Sequence, residues 1–202
     1  MPKIITVAHQ KGGVGKSTLV LNLAHCFKAG GLNILIVDMD LQGSLLGLTG
    51  MEDIQISQPP ENINAIQSLP FDIIIIDTPP YLSNTLPSLF QISDFILIPT
   101  KTGFFDVMAI KSTIALVKEA KIKKPSLISG IVLNMVKTRT SLTDEVKQII
   151  GSYNEGVMNT MIYERVAYVR SALTAGVLTS DDNKAKEEIT ALASEIIETI
   201  SI

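Results

Sequence analysis

The stretch His-Gln-Lys-Gly-Gly-Val-Gly-Lys-Ser-Thr-Leu, from His9 to Leu19, decides the fold. A short apolar segment, Lys3 to Ala8, precedes it and is predicted to be a buried strand. After it, apolar residues recur at helical spacing as far as Phe27. A glycine-rich loop between a strand and a helix is the arrangement that a phosphate-binding loop requires, because backbone N–H groups and the positive end of the helix then surround the phosphate oxygens.

The residue types in this loop suit different parts of a bound triphosphate. The glycines carry no Cβ, so the backbone can curl and turn successive N–H groups inward. Lys16 can reach the outer phosphates, and the hydroxyl of Ser17 is placed to ligate Mg²⁺. The predicted nucleotide-binding residues of the loop are Gly12, Gly13, Val14, Gly15, Lys16, Ser17 and Thr18.

The composition limits the remaining possibilities. With 202 residues, 46% of them hydrophobic, the chain is expected to form one domain, residues 1–202, with a large core. The net charge of -3 means that any contact with nucleic acid must come from a local basic patch. Cys26 is the single cysteine, so an intrachain disulfide is excluded, which fits a reducing compartment. We recognise no signal peptide or membrane span and expect a cytoplasmic protein.

Apolar runs alternate with helical periodicity along the rest of the chain. Further strands are predicted at residues 33–37, 71–76, 94–98, 127–134 and 157–162. Pro99 is expected to end the strand before it. Further helical segments are predicted at residues 44–48, as one or two turns, and at 107–120, 142–150, 165–174 and 184–200. This alternation is typical of an α/β fold with a mostly parallel twisted sheet and helices on both faces.

Aspartates follow two of the predicted strands. Asp38 and Asp40 lie at the end of the second strand, and Asp77 follows a run of isoleucines. In an open α/β sheet the ligand lies at the carboxyl ends of the strands, so we expect all three carboxylates beside the glycine-rich loop. Asp77 stands where a Walker B aspartate would, and we predict that it holds Mg²⁺ through water.

The loop carries a second lysine, Lys11, that an ordinary phosphate-binding loop does not need. Lys-Gly-Gly-Val-Gly-Lys-Ser-Thr resembles the deviant Walker A motif of the ParA/MinD ATPases. The resemblance implies a P-loop NTPase of that type, with ATP and Mg²⁺ as cofactors. It also implies that Lys11 crosses a dimer interface and contacts the nucleotide of the other subunit. The candidate catalytic residues are then Lys11, Lys16 and Asp40.

The segment Val37–Gln42 resembles the second motif of that family, usually Asp-x-Asp-Pro-Gln, with Leu41 where proline is common. The resemblance implies that Asp40 orients or activates the attacking water and that Asp38 supports the site near magnesium. A carboxylate at the γ-phosphate helps only if it positions water without repelling the phosphate, which fits slow, partner-stimulated hydrolysis. The predicted magnesium-binding residues are Ser17, Asp38 and Asp77.

The resemblance continues, with lower specificity, along most of the chain. It covers Ile76–Pro80, Ile98–Thr100, Phe105–Asp106, Val132–Asn134 and Tyr163–Arg170. Asn134 stands where the family has an asparagine that contacts adenine, although asparagine at a strand end is equally a turn former. The last segment resembles the part of ParA proteins that flanks the nucleotide and contributes basic DNA contacts.

Non-specific DNA binding requires lysines and arginines that neutralise phosphates. Two groups of cations qualify. The first is Lys118, Lys121, Lys123 and Lys124, and the second is Arg165, Arg170, Lys184 and Lys186. The resemblance favours the two arginines of the second group. The last helix has an apolar stripe, as a membrane-surface helix would. An anionic membrane would repel its polar side, so we predict that it packs on the core. That side carries Glu187, Glu188, Glu195 and Glu198.

The chain thus resembles the small ParA proteins. The resemblance implies an ATP-dependent homodimer, associated with the nucleoid, that binds DNA non-specifically and segregates plasmid, chromosome or protein cargo with a ParB-like or adaptor partner. Two alternatives stay open: a MinD-like regulator at a membrane surface, and a small-molecule ATP-dependent ligase on the same fold. The ligase would need a substrate pocket with extra polar groups, and no such constellation stands out in the sequence.

Overall fold

The computed structural model describes residues 1–40, 45, 54–81, 84–137 and 142–200. The strands in these ranges are β1 (Lys3–Val7), β2 (Ile34–Asp38), β3 (Gln55–Ser57), β4 (Ile73–Asp77), β5 (Phe95–Thr100), β6 (Ile128–Val136) and β7 (Gly156–Tyr163). They form one sheet in the order β3-β2-β4-β1-β5-β6-β7, and every neighbouring pair is parallel. The carboxyl ends of the strands therefore share one edge of the sheet.

Helices cover both faces of this sheet. They are α1 (Lys16–Ala29), α2 (Leu86–Ile92), α3 (Phe104–Lys123), α4 (Leu142–Gly151), α5 (Val166–Arg170) and α6 (Asn183–Ile200). Successive side chains of a strand point to opposite faces. In β4, Ile73 and Ile75 pack with α1 and α6, whereas Ile74 and Ile76 pack with α2 and α3. This double burial explains the unbroken isoleucine run and confirms the predicted α/β architecture.

One predicted boundary is wrong, because β5 continues through Pro99 to Thr100. The carbonyl of Leu97 accepts a hydrogen bond from the backbone N–H of Ala8, so Leu97 faces β1. Pro99, two residues later, faces the same side, beyond the last pair that β5 forms with β1 at Val7. β1 has already ended there. Among the described residues, the missing N–H of proline therefore costs no hydrogen bond between these two strands.

The predicted helix at 165–174 is also wrong in length, because α5 is short and a 3₁₀ turn follows it at Ser171–Leu173. The hydroxyl of Ser171 donates a hydrogen bond to the carbonyl of Tyr168 at 2.8 Å. The same hydroxyl accepts one from the side-chain amide of Asn22 in α1 at 2.9 Å. Side-chain bonds of this kind compete with helical backbone bonds, so the α-helix tightens and ends at this serine.

The other predicted elements agree with the structure except at their ends. Among the strands and α-helices of the described residues, β3, which has 3 residues, and α2, which has 7, had no sequence prediction. Both are too short for hydrophobic periodicity to identify them. The helical turns predicted at 44–48 lie, apart from Leu45, outside the described residues.

The polar face of α6 closes the free edge of the sheet at β7. Glu195 accepts hydrogen bonds from the backbone N–H groups of Asn159 and Thr160, at 2.6 and 3.0 Å. Glu188 accepts another from the backbone N–H of Tyr163 at 3.2 Å. These bonds satisfy donors that an open edge strand would expose. The apolar face of α6 is buried, which confirms the predicted core-packing helix. None of the helices in the described ranges is long and apolar enough to cross a membrane.

Candidate nucleotide-binding site

The glycine-rich loop lies between β1 and α1 with the backbone conformation that a phosphate-binding loop needs. Gly13 and Gly15 have φ values of +70° and +85°, which residues with a Cβ rarely adopt. A Cβ on Gly15 would also lie 2.4 Å from the side-chain nitrogen of Asn134. α1 begins at Lys16 with no side-chain cap, so its first N–H groups are available to an anion.

Lys16 lies buried at the base of this loop. Burial lowers the pKa of its amine, while Asp77 and Asp40 act in the opposite direction. The surrounding carboxylates thus favour the charged lysine that a triphosphate requires. Phosphate oxygens would supply further negative charge here, so the site fits a bound nucleotide better than it fits solvent.

Asp77 ends β4 and is a buried carboxylate of the site. It is 1% exposed, and neither carboxylate oxygen has a hydrogen-bond partner among the described residues. Burial raises its pKa to about 7; Ser17 and Lys16 act against the rise, and Asp38 and Asp40 add to it. A buried carboxylate with both oxygens unpartnered is suited to a cation. Asp77 and Ser17 therefore fit the predicted magnesium site.

The remaining ligands of such an ion would come from elsewhere. The described residues contain no group of three or more His, Cys, Asp or Glu side chains that could hold a metal. Mg²⁺ is usually bound through one or two carboxylates, with substrate phosphates and water completing its shell.

Asp38 lies beside Asp77 at the carboxyl edge of the sheet, and backbone N–H groups engage its carboxylate. One carboxylate oxygen accepts the backbone N–H of Asp40 at 3.0 Å, and the other accepts that of Leu45 at 3.1 Å. Both oxygens are therefore engaged with the loop that follows β2. This geometry suits a role in which Asp38 positions Asp40, while the predicted part of Asp38 in the magnesium site stays a prediction. Asp40 itself is half-buried and lies close enough to Lys16 to oppose the lowering of that lysine's pKa by burial.

Lys11 lies at the surface of the loop, and its side chain is 44% exposed. Its amine pairs with the carboxylate of Asp106 in the first turn of α3, at 2.5 Å. Its backbone N–H donates to Nδ1 of His9 at 2.7 Å. Burial, with help from Lys16, lowers the pKa of His9 to about 4, so this acceptor is neutral at pH 7. The backbone at Lys11 is thus held in place while its amine remains accessible.

Asn134, near the end of β6, is hydrogen-bonded to the glycine-rich loop. Its side-chain nitrogen donates to the carbonyl of Val14 at 2.7 Å, and its side-chain oxygen accepts the N–H of Met135 at 3.0 Å. Met135 has a φ of 54° and lies at an irregularity in the pairing of β6 with β7, and β6 continues through Asn134 to Val136, so Asn134 lies within the strand. The adenine contact stays a prediction. A cavity of about 120 Å³ beside Asn134 has the mainly apolar lining that a base requires, including Leu19, Met135, Tyr163, Tyr168 and Val169.

Several of the predicted DNA-binding side chains are engaged within the chain. The guanidinium of Arg165 is held by Glu188, with Asp182 also nearby at 3.8 Å. Lys121 pairs with Glu155, and Lys124 donates to the carbonyl of Ser93. A DNA contact by any of these three cations would compete with its partner within the chain, and that contact stays a prediction. The cations that remain are Lys118, Lys123, Arg170 and Lys184, which are exposed, and Lys186, which is half-buried.

Two side chains beside the loop had no role in the sequence predictions. Asp106 was noted for its resemblance alone, and His9 only as the start of the loop. An acidic residue in the first turn of a helix that begins at the carboxyl edge of the sheet was the available signal for Asp106. His9 gave no signal, because local sequence does not show its burial or its proximity to Asp106, 97 residues away.

A glycine-rich loop at the start of α1, with a buried lysine and a buried aspartate at the neighbouring strand end, defines a P-loop nucleotide-binding protein. The chain matches the profile described as the CobQ/CobB/MinD/ParA nucleotide binding domain over residues 5–176. It therefore belongs to this family, as the loop sequence predicted.

Individual relatives are similar to this chain over most of its length. The chain is 28% identical to maintenance of carboxysome distribution protein A of Halothiobacillus neapolitanus, over 96% of this chain and 95% of the relative. It is 25% identical to the chromosome-partitioning ATPase Soj of Thermus thermophilus, over 80% and 81%. Its fold matches the septum site-determining protein MinD of Pyrococcus horikoshii, in complex with Mg-ADP, with a TM-score of 0.73, 20% identity, and coverage of 100% and 98%. The fold thus accommodates an adenine nucleotide with Mg²⁺, and ATP and Mg²⁺ are the cofactors consistent with this site.

Proposed function

We propose that the protein is a ParA-type positioning ATPase that closes into a homodimer when it binds ATP. The observation that carries this proposal is the contrast between the two lysines of the loop. Lys16 is buried near Asp77 and suits the nucleotide of its own subunit, whereas Lys11 is exposed at the surface. A lysine in that position suits the phosphates of a second subunit.

The residues of each subunit have distinct parts in the proposed hydrolysis. Lys16 and the first N–H groups of α1 hold the phosphates. Asp77 and Ser17 hold Mg²⁺, which draws charge from the phosphates when it is bound. Asp40, positioned through Asp38, orients the attacking water. A carboxylate there also repels the γ-phosphate, which supports slow hydrolysis that a partner accelerates.

Replacing Asp40 with alanine is expected to lower the steady-state rate of ATP hydrolysis by about 100-fold or more, the usual contribution of a positioned acid or base. ATP binding is expected to persist, so the variant should remain a DNA-bound dimer. Phosphate release and sedimentation with DNA measure the two effects. Asp181→Ala, at an exposed position, is the matched control. An unchanged rate for Asp40→Ala would show that Asp40 has no part in hydrolysis.

The proposed dimer binds DNA non-specifically, because closure brings two copies of each exposed cation to one assembly. Arg170 is the main candidate for the DNA contact, because it is exposed at the end of α5. The neighbouring Val169 of α5 lines the cavity beside Asn134, so this helix lies next to the predicted nucleotide site. Lys184 and Lys186 lie at the start of α6 and are the further candidates. Nucleotide occupancy would then control DNA affinity through the dimer.

Replacing Arg170 with alanine is expected to weaken DNA binding in the ATP state. Each dimer loses two phosphate contacts, so the slope of log K against log salt is expected to fall by about 2. Fluorescence anisotropy at several salt concentrations measures this slope. Lys28→Ala, an exposed cation at the last turn of α1, is the control. Equal DNA binding without nucleotide, with ADP and with ATP would contradict a nucleotide-controlled DNA face.

Membership of this class of protein indicates the kind of cargo and partner only in general terms. A plasmid, a chromosome or a protein assembly could be the cargo, with a ParB-like or adaptor protein that stimulates hydrolysis. A membrane-surface function has less support, because Glu188 and Glu195 in α6 bind the edge of β7 and the apolar face of α6 is buried in the core. A ligase would leave Lys11 without a part in the reaction.

A further inference from the structure

The exposed aromatic side chains of this protein lie in two segments, and both segments adjoin the loop around Lys11. The chain has six phenylalanines and four tyrosines, and all ten lie in the described ranges. Three of them are exposed: Tyr81 at 52%, Phe104 at 60% and Phe105 at 81%. The other seven are buried or half-buried. Exposed rings that cluster in one region mark an interaction site better than single apolar residues scattered over a surface.

These three rings lie on both sides of Lys11. Tyr81 directly follows Pro80, and a Cβ on Gly12, next to Lys11, would lie 3.4 Å from Pro80. The loop that carries Tyr81 therefore touches the phosphate-binding loop. On the other side, Phe104 and Phe105 directly precede Asp106, whose carboxylate holds the amine of Lys11. The two phenylalanine rings pack edge to face, with centroids 5.8 Å apart.

We propose that Tyr81, Phe104 and Phe105 form the apolar contact through which a second copy of this chain docks. The inference rests on the proposed function, in which Lys11 reaches the nucleotide of another subunit. A lysine side chain spans only about 6 Å, roughly two residues of extended chain, so that subunit must come close to the loop. It would then cover the rings beside Lys11.

The chemistry of the surface fits this occupant. Aromatic residues are enriched in the buried centres of protein interfaces, where a few of them supply most of the binding energy. A two-fold axis near Lys11 would place the same rings on both sides of the contact, as isologous dimers require. A fully buried aromatic side chain covers about 150–250 Å². Because these three are only 52%, 60% and 81% exposed, docking could bury roughly 300–500 Å² of them, about half of the 800 Å² that a standard interface buries on each partner.

The test measures dimerisation of full-length protein with a non-hydrolysable ATP analogue and Mg²⁺ by sedimentation velocity. The double variant Phe104→Ala/Phe105→Ala is expected to raise the dimer dissociation constant about 10- to 100-fold, the range for loss of central aromatic anchors. Phe105→Leu is expected to retain most of the affinity. The control is Ile122→Ala, because Ile122 is also 81% exposed and lies near the other end of α3.

A second measurement separates docking from damage to the nucleotide pocket. Titration with a fluorescent ATP analogue is expected to give the same affinity for monomers of the double variant as for wild type. An unchanged dimer constant for the double variant, or a matching loss for Ile122→Ala, would overturn the inference, and so would a parallel loss of nucleotide binding. A wild-type protein that stays monomeric with the analogue would contradict the proposed function itself.

Discussion

With Lys11 replaced by alanine, the protein is expected to stay monomeric in ATP and Mg²⁺ and to stay off DNA. Each subunit of the proposed dimer loses one charge-assisted hydrogen bond to a phosphate, worth about 1.5–3 kcal/mol. A dimer loses two, so its dissociation constant is expected to rise about 100- to 10,000-fold. ATP binding to one subunit should persist, because Lys16 and the loop N–H groups are unchanged. Sedimentation velocity and nucleotide titration measure both quantities.

The ion pair between Lys11 and Asp106 offers a sharper control than a remote lysine. If Lys11 served only to hold Asp106 within its own subunit, Asp106→Asn would reproduce the effects of Lys11→Ala. In the dimer proposed here, Lys11 must leave Asp106 to reach the other nucleotide. Exposed pairs contribute about 0–1 kcal/mol, so the release is easily offset by a bond to phosphate. Asp106→Asn is therefore expected to dimerise at least as well as wild type. If Lys11→Ala formed dimers with wild-type affinity, a role for Lys11 across the interface would be excluded.

The phosphate-binding loop and the sheet could be predicted because local sequence determines them. The loop needs residues without a Cβ at Gly13 and Gly15, and that requirement is visible in the chain itself. The isoleucines of β4 must be apolar on both faces, so they indicate a buried parallel strand. Asp77 could be placed beside the loop because parallel strands bring their carboxyl ends together.

The sequence was uninformative where a side chain's partner lies far along the chain. The positive charge of Arg165 suits a DNA contact, but its guanidinium is hydrogen-bonded to Glu188, which is 23 residues away in α6. Pro99 has the local signature of a strand end, yet β1 ends before it and removes the need for its N–H. Asn134 sits 120 residues from the carbonyl of Val14 that it supports. In each case the deciding partner belongs to another element, and no local pattern reports it.

Replacing Asp77 with asparagine is expected to stabilise the nucleotide-free protein while abolishing hydrolysis. Burial raises the pKa of Asp77 from 3.8 to about 7. An acid whose pKa is higher in the folded than in the unfolded state destabilises the fold as pH rises between those two values. Three pKa units correspond to about 4 kcal/mol. Asparagine carries no charge, so its advantage in the free energy of unfolding should grow from pH 4 to pH 7 and then level off at up to about 4 kcal/mol.

Urea unfolding of wild type and Asp77→Asn from pH 4 to pH 8, without nucleotide or Mg²⁺, measures this difference. Asp181→Asn at an exposed site is the control and is expected to show no such growth. A constant difference between Asp77→Asn and wild type across this range would mean that Asp77 is already charged and stabilised in the empty site. Its unpartnered oxygens would then have no energetic consequence.

Adding ATP and Mg²⁺ should narrow the difference in stability between the two proteins, and this narrowing distinguishes a carboxylate that binds the cation from one that is only buried without a partner. Wild type gains stability because the charged form of Asp77 acquires a cation, and ligand that binds only the folded state stabilises it by about 2.7 kcal/mol at 100 times its dissociation constant. Asparagine is a weaker ligand for Mg²⁺, so the variant should gain less and hydrolyse ATP at least about 100-fold more slowly. Equal stabilisation of both proteins by ATP and Mg²⁺ would remove Asp77 from the metal site and leave its burial unexplained.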